Sequence, residues 1–440
     1  MSYLVCTLFL LTIVMALTTN RDLFSPAKLF LFSFLVFHVG ALFQVGSIEL
    51  WLLLLMVMLV GLLTAAFEAS LPLPAAPVQA RSVPGRLRTN ARQAEGRLFL
   101  WLWLLSAPAL LSQVYMVQLF GGFEGYINSL GMRVIEWRGL GWAKTLIATL
   151  LPINLVYFAV GLTRRRHWGW WALYSAHFVI LLLFGLLSGS RSGVLNVFAL
   201  QLFCYHYLRR PVRMRSVLSV GAVLMVAALV LGVVRDGIKV DAGELVTGLD
   251  SADSALKIAI FYYGVEPLEL ILNAPDLPLA YGSTFVSLLT NAVPRPWWPN
   301  KPDTGGVFFT KAYTGDAWEG ASNLTPTFLG EWIINFGWVV GLCGFVVAYP
   351  ALMYWVVRRY RLTLARLLAM RSALTAVDFV TYLLIMWSVI ALMTGEVTNV
   401  LLNLVLTQLI PLAVIRLLAT SSSSRFGTHR PAALAASSTR

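Results

Sequence analysis

The chain has 440 residues, of which 58% are hydrophobic and only 12% are charged, and its formal net charge at pH 7 is +13. Soluble domains carry about 25% charged residues, so this composition excludes an ordinary soluble protein and is typical of a protein that crosses a membrane several times. In a soluble protein, a net positive charge of this size would suggest nucleic-acid binding. Here the basic residues gather in short segments between apolar stretches, as topology signals do, which argues against nucleic acid as a partner.

Apolar stretches long enough to cross about 30 Å of hydrocarbon recur along the whole chain. They predict an all-α polytopic membrane protein with about eleven transmembrane helices. The predicted spans lie near residues 2–17, 28–46, 48–67, 98–119, 145–163, 168–188, 193–208, 216–234, 329–349, 374–395 and 397–417. The first stretch lacks a basic leader and a small-residue cleavage site, so we interpret it as a retained helix rather than a signal peptide.

The segments between the spans divide the chain into parts of different composition. We predict N-terminal membrane helices in 1–67, a cytoplasmic linker in 68–97, membrane helices in 98–234 with an outer loop at 120–144, a long periplasmic loop in 235–330, C-terminal membrane helices in 331–419 and a disordered, low-complexity cytoplasmic tail in 420–440. With the C-terminus placed in the cytoplasm, the cytoplasmic segments hold most of the Lys and Arg residues and few acids. This bias is the positive-inside signal and sets the orientation.

Cysteine and histidine usage predicts no metal site. Cys6, Cys204 and Cys343 all lie in predicted spans, without the paired spacing of a disulfide framework or a metal site. None of the five histidines falls in the long loop 235–330. We therefore expect neither a metal nor another cofactor.

The long loop contains two apolar stretches that are poor candidates for full spans. Residues 255–272 are interrupted by Gly264 and Pro267, which predicts a re-entrant or surface-lying helix. Residues 283–293 form the second stretch, and Pro294 ends it. If both enter the outer leaflet, the loop forms a lid on the helix bundle.

Arg191 lies in the turn between the sixth and seventh predicted spans. Gly189, Ser190, Ser192 and Gly193 surround it. Glycines let a ligand approach the backbone closely, serine hydroxyls add donors, and the planar fork of arginine can bind two phosphate oxygens at once. The alternative interpretation is a tight helical hairpin whose single arginine extends to the membrane surface.

The densest cluster of basic and aromatic residues in the long loop runs from Arg295 to Asp303. Four prolines stiffen this stretch, so Arg295 and Lys301 would be held with little loss of conformational freedom. Trp297 and Trp298 offer flat apolar faces that suit sugar rings. The alternative is an aromatic-belt anchor, because Trp and basic residues also gather at the head-group level of membranes.

Carboxylates are the candidate bases on the outer side. Glu319 and Glu331 flank the short stretch before the ninth predicted span, which Glu331 opens. An ionisable group at the mouth of a membrane helix is a functional candidate. Glu331 could equally pair with Arg295 or cap the positive end of its own helix. We expect Asp378, near the cytoplasmic end of its span, to pair with a nearby arginine.

Three stretches of the chain resemble the bacterial oligosaccharide repeat-unit polymerases, the O-antigen polymerase type. The first is 189–192 at a span junction, the second is 294–302 in the long outer loop, and the third runs through 325–331 and 335–337 to Gly341. They cover the later part of the chain, whereas the first spans match only in crossing a membrane.

The resemblance implies a metal-independent glycosyltransferase at the periplasmic face of the bacterial inner (plasma) membrane. Such an enzyme moves a growing glycan from its undecaprenyl pyrophosphate carrier to the non-reducing end of a new lipid-linked repeat. The product is a surface polysaccharide, for example the O-antigen of lipopolysaccharide, a capsule or an exopolysaccharide. The implied partners are undecaprenyl-pyrophosphate-linked glycans and membrane lipids, with a chain-length regulator as a further candidate.

The resemblance also implies roles for residues that the sequence had singled out. Arg191, Arg295 and Lys301 would hold pyrophosphate and stabilise the charge that builds on the leaving group. Glu331 or Glu319 would take the proton from the attacking hydroxyl. The remaining substrate-binding candidates are Arg133, Arg138, Arg235, Trp297 and Trp298.

Three alternatives remain: an O-antigen ligase, a transporter or flippase, and a purely structural membrane component. An O-antigen ligase would share the chemistry, but ligases of that kind characteristically have a histidine in the long outer loop, which this loop lacks. A transporter or flippase of lipid-linked oligosaccharides would need charged residues along an internal pathway. Apart from Asp378 and the histidines, the predicted spans contain few such residues, and the ionisable groups concentrate on the outer face.

Overall fold

A computed structural model describes most of the chain. The described residues are 2–19, 22–38, 40–41, 47–71, 86–130, 133–137, 139–163, 166–188, 191–223, 226, 238–241, 244–247, 262–274, 276–291, 293, 297–315, 324–369 and 372–424. Within them, one antiparallel hairpin pairs Ile238–Asp241 with Glu244–Thr247, and the other elements are helices. The helices are Ser2–Thr19, Pro26–His38, Ile48–Ser70, Arg86–Leu119, Phe123–Ser129, Arg133–Glu136, Gly141–Ala148, Leu150–Thr163, Trp168–Leu187, Arg191–Leu208, Met214–Val223, Glu266–Leu272, Ser283–Thr290, Gly305–Tyr313, Thr327–Ala369, Ala373–Ala391, Val397–Leu402 and Ile410–Ser424, the last two joined by a π-helical turn at Asn403–Leu409.

Among the described helices, seven are long and apolar enough to cross a membrane. They are Ile48–Ser70, Leu98–Leu119, Gly141–Thr163, Trp168–Leu187, Thr327–Ala369, Ala373–Ala391 and Val397–Thr420. Shorter apolar helices at Pro26–His38, Gly193–Leu208 and Met214–Val223 lie where further spans were predicted. A helical fold with helices long and apolar enough to cross a membrane is therefore confirmed, with seven rather than eleven of them in the part of the chain that the structure describes.

Polar residues define the starts of two of these helices. The Ser47 hydroxyl accepts a hydrogen bond from the backbone N–H of Leu50 at 3.2 Å. Ser372 and Thr375 cap each other reciprocally, each side chain accepting from the other's backbone N–H, at 3.2 and 2.8 Å. Such caps satisfy N–H groups that the first helical turn leaves unpaired.

A buried polar network joins four membrane helices. His177 contacts the Ser106 hydroxyl through Nε2 at 2.8 Å and the Asn154 amide through Nδ1 at 2.9 Å. Gln201 then donates to Oδ1 of Asn154 at 3.1 Å. Each of these residues lies on a different helix. Because lipid offers no water to unpaired polar groups, such a network fixes how the helices pack.

Asp22 joins the ends of two membrane helices to the loop that carries it. Its carboxylate accepts hydrogen bonds from the hydroxyls of Tyr207, at 2.6 Å, and Tyr360, and lies 3.3 Å from Nε2 of His206. The orientation inferred from the sequence places this end of the bundle in the cytoplasm.

Asp378 lies at the same end of the bundle. Its carboxylate is 3.3 Å from the guanidinium of Arg416 and 3.8 Å from that of Arg366. The expected pairing of Asp378 with arginine is confirmed.

The helix Thr327–Ala369 reverses its direction at Gly337. This glycine has φ 74° and ψ −178°, a conformation that essentially only glycine adopts. The ring centroids of Phe328 and Tyr349 are 5.2 Å apart. In a straight helix, residues so far apart in sequence would be separated by about 30 Å. We call residues 327–336 the folded-back segment and residues 338–369 the spanning helix.

This reversal corrects the predicted ninth span, 329–349. Residues before Gly337 pack against those after it, so the stretch is not one crossing of the membrane. Trp332 lies so close to Gly344 that a Cβ there would be 2.3 Å from its ring. The apolar pattern continues through Gly337, so hydropathy gave no sign of the reversal.

Candidate functional site

Glu331 lies on the folded-back segment, and its side chain is fully buried. Its Oε1 accepts a hydrogen bond from the Thr284 hydroxyl at 2.9 Å, and its Oε2 accepts one from the backbone N–H of Val397 at 2.6 Å. Glu331 therefore caps the start of a different helix, Val397–Thr420, rather than its own. The first N–H groups of a helix need an acceptor and favour a negative charge.

Glu396, which immediately precedes that helix, is also fully buried. Its Oε2 accepts a hydrogen bond from the backbone N–H of Gly306. Gly306 lies in the first turn of the helix Gly305–Tyr313, which we call the roof helix. The side chains of Thr304 and Asn399 also lie beside the Glu396 carboxylate.

Gly305 lies between the two carboxylates. A Cβ at this position would be 2.7 Å from Oε1 of Glu331 and 3.0 Å from Oε2 of Glu396. The two side chains therefore face each other across the first residue of the roof helix. A glycine is required here because a side chain would need the space that the carboxylates occupy.

A shell of buried polar side chains surrounds the pair. Asn335 donates through Nδ2 to the Thr284 hydroxyl and to the Glu331 carbonyl, both at 2.7 Å. The hydroxyls of Ser287 and Thr398 are 2.8 Å apart, and that of Thr398 donates to the Thr284 carbonyl at 3.0 Å. These bonds join the helix Ser283–Thr290 to the folded-back segment and to the final membrane helix.

The rise of two helices gives a comparison of how far Arg191 and the surroundings of Glu331 lie from Asp22. Asp22 accepts hydrogen bonds from Tyr207 on one helix and Tyr360 on the other, so it marks a common reference level for both helices. The helix Arg191–Leu208 rises about 24 Å from this level to Arg191. The spanning helix rises about 22 Å to Phe345, whose ring packs on the folded-back segment beside Glu331. Both residues thus lie at the end of the bundle opposite to Asp22.

Arg133 lies beside the turn that precedes Arg191. Its Nη1 donates to the carbonyl of Ser188 at 3.0 Å. Lys144, which the sequence had not singled out, lies with Nζ 5.0 Å from the centroid of the Trp137 ring. Arg133 and Lys144 are close enough to repel each other electrostatically. At least two cations therefore gather near this turn.

Of the predicted site residues in the aromatic stretch, the structure describes Trp297 and Trp298, which are 81% and 43% exposed, and Lys301. The ammonium of Lys301 donates to the carbonyls of Asn291 at 3.0 Å and Val293 at 2.7 Å. Lys301 thus fastens the stretch to the end of the helix before it. The two tryptophans present their ring faces at the surface, where a sugar or a lipid head group can contact them.

Several predicted site residues fall outside the described residues. They are Arg138, Arg235, Arg295 and Glu319. For Arg191 the described part is its backbone, at the first position of the helix Arg191–Leu208. The predicted convergence of Arg191 and Arg295 on one pyrophosphate stays a prediction.

The sequence contains a signal for Glu396 that the site prediction above does not use. Like Glu331, it is an acidic residue that heads an apolar stretch predicted to begin on the outer side. Two acids in equivalent positions on two spans could have been predicted to meet. The roof helix and Gly305 gave no such signal, because their role depends on long-range packing.

The chain matches no known family model, no curated protein and no solved structure. Within the described residues, no group of three or more His, Cys, Asp or Glu side chains is placed to hold a metal ion. The function must therefore be inferred from the residues of this chain and their geometry.

Proposed function

We propose that this protein polymerises undecaprenyl-pyrophosphate-linked oligosaccharide repeat units at the periplasmic face of the bacterial inner membrane. The proposal includes the eleven spans and the long outer loop, 235–330, inferred from the sequence. The support for it is that helix rise gives similar distances from Asp22 for Arg191 and for Phe345, whose ring packs on the segment that carries Glu331. Arg191 and Glu331 would serve opposite needs of the reaction, a cation for the leaving group and a base for the attacking hydroxyl.

The reaction transfers the growing glycan between two lipid-linked molecules. The bond between the anomeric carbon and the pyrophosphate oxygen of the donor breaks. A glycosidic bond forms to the hydroxyl oxygen at the non-reducing end of the acceptor. Undecaprenyl pyrophosphate leaves with the bonding electron pair, and the proton of the hydroxyl passes to a carboxylate. The site must therefore supply cations beside the leaving group and a base beside the acceptor.

The basic residues of the outer end would bind pyrophosphate. Arg191 and Arg295 would contact the leaving group, with Lys301 holding the loop that carries Arg295. Arg133, near Lys144, would form a second phosphate site. Arginine suits this role because its guanidinium donates paired hydrogen bonds to phosphate oxygens.

Glu331, or Glu319, would act as the base. Because Glu331 is fully buried beneath the roof helix, an acceptor hydroxyl can reach it only after that helix moves. The structure therefore corresponds to a covered site, and opening of the roof helix would precede transfer.

A second candidate function is transport of lipid-linked oligosaccharides across the membrane. The observation that favours it is the pair Glu331 and Glu396, buried without an ion-pair partner among the described residues. Ionisable groups inside a membrane bundle often mark an ion or substrate pathway. Loss of a polymerase and loss of a transporter would leave lipid-linked repeats in different places.

The test uses a polymerase-deficient host that makes the cognate repeat unit. Arg191→Ala and Arg191→Lys should both shorten the surface glycan to single repeats at normal membrane levels, because lysine cannot replace the bidentate fork. Arg213→Ala, an exposed arginine near the Asp22 end, is the matched control and should make full-length glycan. Full-length glycan in both Arg191 variants would refute the proposed role of Arg191.

The location of the unused substrate distinguishes the alternatives. Loss of a polymerase leaves single repeats that have already reached the periplasmic face. Loss of a transporter leaves lipid-linked repeats on the cytoplasmic side, and loss of a ligase leaves finished polymer on its undecaprenyl carrier. Either of the last two results would exclude the polymerase function.

A further inference from the structure

Glu331 and Glu396 are two fully buried acidic residues whose carboxylates approach each other at Gly305. Neither carboxylate forms an ion pair with a described Lys, Arg or His residue. Their partners are two backbone N–H groups and neutral hydroxyl and amide side chains.

Two negative charges cannot both persist in this arrangement at neutral pH. Each charge loses solvation by burial, and each raises the energy of the other at short range in a medium of low dielectric. Like-charged carboxylates so near each other therefore bind a proton that an isolated carboxylate would release. Either a proton or a metal cation must neutralise the pair.

The hydrogen bonds favour a proton over a metal cation. Both oxygens of Glu331 and Oε2 of Glu396 already accept hydrogen bonds. Within the pair and the polar shell described around it, the buried side-chain oxygens that lack a hydrogen bond of ordinary geometry are Oε1 of Glu396 and Oδ1 of Asn335. Calcium takes about six to eight oxygen ligands and magnesium a nearly complete octahedron. Here N–H and O–H donors, rather than further oxygens, face three of the four carboxylate oxygens.

We propose that Glu331 and Glu396 form one proton-binding site, in which a single proton bound by the carboxylate pair keeps the roof helix closed. With the proton bound, Glu396 accepts from the N-terminus of the roof helix while it faces Glu331 across Gly305. Loss of the proton leaves two like charges that repel, and the roof helix is the element between them. The site goes beyond the polymerase function and does not depend on it.

Other titratable groups on the surrounding elements have their own partners. Lys311 of the roof helix pairs with Asp303 at 2.7 Å, and the Tyr313 hydroxyl donates to the Pro278 carbonyl at 2.7 Å. On the helix Glu266–Leu272, Glu269 hydrogen-bonds to Tyr262, and Glu266 is exposed. The helix Ser283–Thr290 and the described start of the final helix add no further charged side chain. A proton taken up at this place therefore belongs to the carboxylate pair.

Thermal unfolding of the purified full chain in detergent, measured from pH 5 to pH 9, tests the proposal without any substrate. The folded pair holds a proton that the unfolded glutamates have released at neutral pH, so this contribution to stability falls as pH rises. Glu396→Gln and Glu331→Gln each remove one charge from the pair. The wild-type Tm should fall by several degrees relative to each variant between pH 6 and pH 9. Curves that stay parallel over this range for both variants would overturn the proposal.

Infrared spectroscopy gives a second measurement that needs only the folded wild type and one variant. The wild type should show the C=O stretching band of a buried protonated carboxylic acid at pH 7, which shifts in heavy water and disappears at high pH. The double variant Glu331→Gln, Glu396→Gln should lack it. A wild type without this band at pH 7 contradicts a bound proton.

Titration with metal ions decides between the two kinds of cation. Sodium, potassium, magnesium and calcium chlorides, added separately at pH 7, should change the Tm of the wild type and of Glu396→Gln equally. Saturable stabilisation of the wild type alone, reversed by a chelator or by dilution of the salt, would replace the proton by a metal ion and refute the proposal. Because these measurements involve no glycan, their failure would leave the polymerase function untouched.

Discussion

The carboxylate of Glu331 accepts a hydrogen bond from the backbone N–H of Val397 at 2.6 Å, so a side chain of one helix caps the start of another. The first turn of a helix presents unpaired N–H groups and a partial positive charge, which this carboxylate neutralises. The bond joins the folded-back segment that ends at Gly337 to the turn that begins the final membrane helix. A change that displaces Glu331 therefore also uncaps the final helix.

Gly305→Ala should lower both the Tm and the length of the glycan product. The new Cβ would lie 2.7 Å from Oε1 of Glu331 and 3.0 Å from Oε2 of Glu396, so the roof helix or the carboxylates must shift. Overfilling a packed site typically costs about 1–3 kcal/mol. Thermal unfolding measures the first effect, and gel analysis of the surface glycan measures the second.

The matched control is Gly141→Ala. Gly141 is also the first residue of a helix, but a Cβ there would meet nothing within 4 Å. This variant should keep the wild-type Tm and glycan length. If the two alanine variants behave alike, the contact between Gly305 and the carboxylates has no energetic importance.

Gly337→Ala should destabilise the protein through its backbone rather than through a clash. Nothing lies within 4 Å of a Cβ at Gly337, but its φ of 74° and ψ of −178° are essentially accessible to glycine alone. Such strain costs about 1–3 kcal/mol per residue. The measurement is denaturation of the purified protein, with Gly221→Ala, a helical glycine with open space around it, as the control. A wild-type midpoint for Gly337→Ala would show that the chain does not reverse there.

Seven of the eleven predicted spans correspond to described helices of spanning length, because such a helix needs only a run of apolar residues, which hydropathy detects directly. The prediction failed at 329–349, where one left-handed glycine inside a continuous apolar run reverses the chain. A conformation with positive φ depends on packing such as that of Phe328 against Tyr349, which no local pattern contains.

The candidate site was predicted in part. Glu331 was singled out because an acid at the mouth of a membrane helix is costly and therefore informative. Of the two partners considered for it, its own helix is wrong, because the N–H that it caps belongs to Val397. Its pairing with Arg295, which lies outside the described residues, stays a prediction. Glu331, Gly305 and Glu396 belong to three segments that are distant in the chain, so only the tertiary fold reveals that they meet.

Acid should weaken the wild type at the Asp22 end of the bundle. Burial by itself would raise the pKa of Asp22, but hydrogen bonds from His206, Tyr207 and Tyr360 outweigh it and lower the pKa below its ordinary value of 3.8. A lowered pKa in the folded state contributes stability that is present above pH 3.8 and is lost as pH falls through the folded-state pKa.

Asp22→Asn tests this contribution. At pH 7 the variant should be less stable by about 1.5–3 kcal/mol, the usual value for hydrogen bonds to a charged group. The difference from the wild type should shrink as pH falls below 3.8, because the wild-type carboxylate also becomes neutral there. Denaturant unfolding at several pH values measures it, with the exposed Asp276→Asn as the control. A difference independent of pH would exclude the charge of Asp22 as its source.

Arg133→Ala should reduce polymerisation with little change in the Tm. The Arg133 guanidinium donates a hydrogen bond to the Ser188 carbonyl, which holds it beside the turn before Arg191. Lys144 is near enough to repel it electrostatically. A cation held near another cation gains most from a doubly charged ligand such as pyrophosphate. Losing one charge-assisted hydrogen bond to that ligand costs about 1.5–3 kcal/mol, or roughly a 10- to 100-fold fall in rate. The rate is measured as glycan growth in membranes supplied with lipid-linked repeats, and Arg213→Ala should match the wild type. Unchanged growth in Arg133→Ala would remove the second phosphate site from the mechanism while leaving Arg191 to its own test.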